Sequence, residues 1–131
     1  MKVSVTSIPV QDQEKALLFY TEMLGFVKKT DIPLSEHSRW LTVVSKEDPE
    51  GVEVLLEPAP NHFEPAKVYQ KALFDAGIPY TQFSSSNVQS DYDRLTAAGV
   101  EFSVVPTEFG TVKIAVFSDT CGNHIQLVEM L

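Results

Sequence analysis

Only one cysteine, Cys121, stands in 131 residues, so the chain cannot close an internal disulfide and nothing in its fold calls for an oxidising compartment. Long apolar runs are missing as well. The opening MKVSVTSIPVQDQ has no apolar core of signal-peptide length, and no stretch reaches the roughly eighteen apolar residues of a membrane span. Basic residues are scarce: ten Lys and Arg against eighteen Asp and Glu leave a net charge of −8. That surface repels phosphate backbones and anionic lipid, which argues against nucleic acid and membranes as partners. A neutral or cationic small molecule stays compatible. Together these deficits point to a cytoplasmic protein.

What is present is globular in composition, with 44% hydrophobic and 21% charged residues. A single domain of this size buries about two thirds of the surface its unfolded chain exposes, enough for a core without staples. The chain opens on an alternating β-branched run, Val3, Val5, Ile8 and Val10, followed by Asp12 in a helix N-cap slot. A helical stripe follows (Ala16, Leu17, Phe19, Tyr20, Met23, Leu24) and stops at Gly25. Strands are expected over 26–32, 39–45 and 52–57, the last two joined by the turn Asp48-Pro49-Glu50-Gly51. From 58 to 79 four prolines frame a linker with a short helix over 66–76. The first pattern then returns: a strand over 80–85, Asn87 as cap, the stripe Tyr92, Leu95 and Ala98 stopped by Gly99, and strands over 102–105, 111–117 and 124–128.

The repeat is testable by position. A shift of 71 lays Asp48–Gly51 on Asp119–Gly122 and Val54-Leu55-Leu56 on Ile125-Gln126-Leu127; a shift of 75 lays Ile8 on Phe83 and Asp12 on Asn87. Two anchors in the same order indicate a tandem duplication of a unit too small to bury its own sheet face. The fold class is therefore α+β, two tandem βαβββ modules, with module one at 1–57, a linker at 58–79 and module two at 80–131 of a single domain.

This doubled unit, opening Ile8-Pro9-Val10-Gln11-Asp12 and Ala16-Leu17-Leu18-Phe19-Tyr20, resembles the vicinal-oxygen-chelate superfamily of glyoxalases, bleomycin-resistance proteins and extradiol dioxygenases. The likeness continues through Leu24-Gly25-Phe26, Arg39 to Val43, Gly77-Ile78-Pro79 and Tyr92 to Leu95. Its closing segment, Val116 to Leu127, is most similar to a bacterial glyoxalase-like branch of unassigned activity. The resemblance implies curled mixed sheets around a concave pocket, and a homodimer. In metal-dependent members it implies a divalent ion, held by a first-strand His or Glu and a last-strand Glu of each module, that acts as a Lewis acid.

Carried onto this chain, the four ligand places read Val5, Leu55, Tyr80 and Gln126, and the two shifts pair Val5 with Tyr80 and Leu55 with Gln126. Val and Leu offer no donor atom, Gln a neutral carbonyl, and Tyr a phenol that stays protonated at neutral pH. Zinc, nickel, manganese or iron needs three or four imidazole, carboxylate or thiolate donors. No metal and no cofactor is therefore expected. Register slips of two residues bring Glu53 or Glu57 and His124 to the pocket face; Glu57 and His124 are expected at opposite ends of neighbouring strands, too far apart to share an ion.

Among other residues, Trp40 and Arg39 offer a flat wall and a cation to a ligand, or else a core or interface aromatic. His62 and Phe63 lie where a lid over the pocket mouth or a plain loop tip would be. Neither Cys121 nor Ser84-Ser85-Ser86 has a base placed to activate it. The expected ligand-lining set is thus Val5, Arg39, Trp40, Leu55, Tyr80 and Gln126. The function expected is that of a glyoxalase- or bleomycin-resistance-like protein binding a small molecule without an ion, its catalytic residues, if any, unassigned. The alternatives are a metal-dependent isomerase, lyase or dioxygenase with displaced ligands, and an antibiotic-sequestering resistance protein.

Overall fold

Each module is set by a capped helix laid across a sheet. Asp12, in extended backbone, accepts the Lys15 N–H at 3.0 Å, and Asn87 accepts the Ser90 N–H at 2.8 Å in the second copy. Each cap satisfies one of the amides that the start of a helix leaves open. Both helical segments stop at a glycine with positive φ, +80° at Gly25 and +93° at Gly99, where a side chain would be strained. The computed structural model describes all 131 residues, and the chain divides into two units, Met1–Tyr69 and Gln70–Leu131.

In the first unit, strands β1 (Val5–Pro9), β2 (Val27–Pro33), β3 (Arg39–Val44) and β4 (Glu53–Glu57) form a sheet in the order β1-β4-β3-β2. β1 runs parallel to β4 and the other pairs are antiparallel. Helix α1 (Gln13–Leu18) crosses one face and continues as a π-helical turn over Phe19–Met23. An uninterrupted α-helical stripe was expected there; the wider turn carries the fully buried Tyr20, whose ring meets Phe19 and Phe26 edge-on with centroids 5.7 and 6.1 Å apart. Ile8, Val10, Leu41, Val43 and Leu56 close this core with Ala16. Each such aliphatic side chain contributes about 1.5–3 kcal/mol on leaving water.

A 3-10 turn (Ala59–Asn61) leads into helix α2 (Glu64–Asp75), which starts two residues before the expected 66 and ends one before 76. The second unit holds strands β5 (Thr81–Ser84), β6 (Phe102–Phe109), β7 (Val112–Ser118) and β8 (His124–Met130) in the order β5-β8-β7-β6, with helix α3 (Val88–Ala97) on one face. β6 runs past the expected Val105 and through Pro106. It can do so because β6 is an edge strand and its register breaks between Val104 and Thr107; a bulged edge tolerates the missing N–H that a central strand would not. The fold is α+β, two tandem βαβββ modules, each with its own four-stranded mixed sheet. β4 and β8 therefore belong to different sheets, which corrects the expectation that Glu57 and His124 lie on neighbouring strands.

Candidate functional site

Side chains alternate along a strand, so each sheet has a face turned to its helix and a face turned away from it. In the first unit the away face is set by the register Val5↔Glu53, Ser7↔Leu55, Thr42↔Leu55 and Ile32↔Trp40. Three expected lining residues share it: Val5, half-buried; Leu55, buried; and Trp40, 38% exposed beside the exposed Ile32. The place on β1 directly opposite Leu55 is held by Ser7, and Val5 faces Glu53 instead.

Glu53 is the polar centre of this face. Its Oε1 accepts the Thr42 hydroxyl at 2.6 Å and the Thr30 hydroxyl at 3.4 Å, while Thr42 Oγ1 accepts the Thr30 N–H at 3.1 Å. The chain of hydroxyls orients a half-buried carboxylate against the sheet. Sequence reasoning reached Glu53 only as a register slip, since a lone Glu on a strand gives no signal of the two threonines that will aim it.

Arg39 lies on the other face, as its position next to Trp40 requires. Its guanidinium donates to Glu14 of α1 at 2.7 Å and to Asp31 at 3.1 Å. The hydrogen bond to Glu14 raises its pKa above the ordinary value against the opposing effect of partial burial, and Asp31 adds to the rise. It lines a cavity of about 600 Å³ at the start of α1 together with Asp12, Glu14, Glu36, His37 and Asn61. Within the first unit, Arg39 and Trp40 thus serve opposite sides of the sheet. Gln13, which carried no signal in the sequence, holds the strand between them: its side chain accepts the Arg39 N–H at 3.0 Å and donates to Arg39 O and Leu56 O, both at 2.8 Å.

In the second unit the away face follows the register Gln82↔Gln126, Val116↔Gln126 and Ser118↔His124. Gln126 Nε2 donates to Gln82 Oε1 at 2.6 Å. Tyr80, half-buried, stands just ahead of β5 and its N–H donates to His124 O at 2.8 Å. The His124 ring stacks on Phe74 of α2, centroids 4.2 Å apart and planes 9° apart. Its Nδ1 is buried without a hydrogen-bond partner. Next to this face, the buried Asp119 ties the β7–β8 turn, accepting the N–H groups of Cys121 (2.8 Å) and Asn123 (3.0 Å). Cys121 is buried in that turn; Phe63 is 57% exposed, as a loop tip would be. Nowhere in the chain do three or more His, Cys, Asp or Glu side chains gather closely enough to hold a metal ion.

A family model described as the Glyoxalase/Bleomycin resistance protein/Dioxygenase superfamily matches residues 2–127. The chain belongs to that superfamily. Within it, the protein is 54% identical to the uncharacterized protein YurT of Bacillus subtilis (strain 168), over 98% of this chain and 99% of that one. Among solved structures it superposes on UcmS2 with a TM-score of 0.83 at 35% identity, covering 98% of each chain. It superposes on TnmS3, an antibiotic binding protein from Streptomyces sp. CB03234, with a TM-score of 0.74 at 28% identity, covering 100% of this chain and 97% of the other. No helix of this superfamily member is long and apolar enough to cross a membrane.

Proposed function

We propose that this protein binds a small molecule against the away faces of its sheets without a metal ion, as an antibiotic-binding or sequestering member of its superfamily. The observation that carries the reading is the set of side chains at the four places where metal-dependent relatives are implied to hold their ion: Val5, Leu55, Tyr80 and Gln126. Two of these have no donor atom, and Gln126 offers only a neutral amide, whose Nε2 donates to Gln82 Oε1 at 2.6 Å. The residues present therefore do not fit a divalent ion. Glu57 and His124, the displaced candidates, belong to no group of three or more His, Cys, Asp or Glu side chains that could hold an ion.

Support for a binding role comes from what replaces the ligands. On the away face of the first unit Trp40 offers an exposed aromatic ring and Glu53 an oriented carboxylate; on that of the second unit, taken by itself, Gln82 and Gln126 offer neutral hydrogen-bonding groups. Small-molecule sites are built from apolar walls with a few placed polar groups. The structural relative TnmS3 is described as an antibiotic binding protein, which favours sequestration over turnover. The reading takes the two modules as one functional domain and the protein as a cytoplasmic homodimer, with Val68 and Tyr69 of α2 (58% and 59% exposed) among the apolar side chains a second copy would cover.

The test has two arms. Elemental analysis of protein purified without a histidine tag is expected to give far less than one equivalent of any transition metal. Titration with bleomycin-type glycopeptides, followed by the fluorescence of the single Trp40, is expected to saturate at micromolar ligand. A stoichiometric ion overturns the metal-free reading, and a flat titration overturns this antibiotic class.

A further inference from the structure

The away face of the first sheet carries charge of one sign. None of the paired positions on it is basic, and two, Glu53 and Glu57 on β4, are acidic. Glu57 stands beyond the last β3–β4 pair, where the Gln13 amide takes over between the strands, and its carboxylate has no hydrogen-bond partner to orient it. Glu53 is held differently. One oxygen, Oε1, accepts the hydroxyls of Thr42 at 2.6 Å and Thr30 at 3.4 Å. The other, Oε2, has no partner, and the only buried side-chain polar atom in that condition is His124 Nδ1. Oε2 is therefore open to solvent, on a residue that is itself half-buried.

No cation of the chain neutralises Glu53. The lysines that precede Thr30 are engaged elsewhere, Lys28 with Asp31 at 3.5 Å and Lys29 with Glu50 at 3.3 Å. A carboxylate drawn partly out of water costs free energy until it is paired, and in its ionised form it can only accept hydrogen bonds. An apolar shelf starts beside it. Trp40 lies two residues along β3 from Thr42, about 7 Å, on the same face. It pairs with Ile32, and the two side chains are 38% and 52% exposed.

We propose that this face takes a small molecule with an aromatic body and an ammonium group, the body laid on Trp40 and Ile32 and the ammonium received by Glu53 Oε2. The ligand supplies the cation that Glu53 lacks, and the indole adds attraction for a cation near its ring. The proposal rests on the small-molecule reading above and names the ligand class for one of its faces. A ligand that leads with a carboxylate would meet Glu53 with like charge.

Three naphthalenes of nearly one shape test it on the full-length protein: 2-(2-naphthyl)ethylammonium, 2-(2-naphthyl)ethanol and 2-naphthylacetate. By titration calorimetry the ammonium is expected to bind about tenfold more tightly than the alcohol, the value of one charge-assisted hydrogen bond, and the acetate more weakly than either. Glu53→Gln should erase the preference and keep the affinity for the alcohol, Glu57→Gln should keep the preference, and Trp40→Ala should weaken all three probes. Should Glu53→Gln not fold, the wild type decides alone: nuclear Overhauser contacts are expected from the ammonium's CH₂ protons to the Thr30 or Thr42 methyl group, and their absence overturns the proposal. Equal affinities, a preference lost with Glu57 rather than Glu53, indifference to Trp40→Ala, or no binding of any probe overturns it too. So does a change in the sedimentation of ligand-free protein on Trp40→Ala, which would mean that a second copy covers this face. Equal binding of all three by ion-free protein would leave the small-molecule reading standing and remove only the ligand class; a stoichiometric ion would remove the reading itself.

Discussion

Replacing Gln13 by Leu should loosen the strand that carries Trp40. The β3–β4 ladder pairs Thr42 with Leu55 and Val43 with Val54, and beyond it the Gln13 side chain takes over. One amide bonds both backbone groups of Arg39 and the carbonyl of Leu56, at 2.8 to 3.0 Å, from a residue only 8% exposed. Leucine keeps the bulk and removes all three bonds. Leu56 O is buried with the core, whereas Arg39 is half-exposed and water can reach its groups. With about 1–3 kcal/mol for the buried group left unpaired and about 0.5–1.5 kcal/mol for each of the two bonds exchanged for water, the loss comes to about 2–6 kcal/mol. Urea unfolding followed by far-UV circular dichroism should show the midpoint fall with an unchanged m-value. Trp40 emission should change in the native baseline, because the indole stands one residue from the lost clamp. A loss under about 0.5 kcal/mol, within the scatter of surface substitutions, would refute the reasoning and mean that the strands hold their spacing without the amide.

Other substitutions separate faces and devices. Arg39→Gln breaks pairs to Glu14 and Asp31 that are partly exposed, so it should cost under about 1 kcal/mol, less at high salt, and leave ligand affinity untouched, whereas Trp40→Ala should weaken binding measured by calorimetry. Because the Arg39 pKa is raised, its contribution is fully present below the ordinary guanidinium value and is lost only above it, so unfolding measured between pH 6 and pH 9 should show no Arg39-linked change on comparing wild type with Arg39→Gln. Asp119→Ala removes the acceptor of two buried N–H groups and should lower stability by about 2–4 kcal/mol in thermal unfolding. Gly99→Ala places a side chain at φ +93° and should cost about 1 kcal/mol, read in the same assay.

The tandem architecture was legible because it is written in local chemistry. Asp12 and Asn87 cap where expected, Gly25 and Gly99 stop the helical segments where expected, and the shifts of 71 and 75 pair strands that prove equivalent in the two sheets. Register was harder. Alternation fixes which face a residue takes but leaves offsets of two residues open, so that Val5 stands opposite Glu53 is read only from the structure. Gln13 gave no signal, and Glu53 and Gln82 entered only as two-residue register slips, for a related reason: each owes its role to a partner more than ten residues away, Arg39, Thr42 and Gln126 in turn. The extension of β6 through Pro106 escaped because a proline reads as a strand end until the strand is known to be an edge.

The most direct measurement is the thermal midpoint of chelator-treated protein with Ni²⁺, Zn²⁺, Mn²⁺ or Fe²⁺ added in turn. An ion that binds the native state raises the midpoint by mass action. With Val5, Leu55, Tyr80 and Gln126 at the four places, no ion is expected to raise it, while a bound small molecule should. A saturable rise with any one of these ions, lost on mutating Glu57 or His124, would contradict the metal-free site.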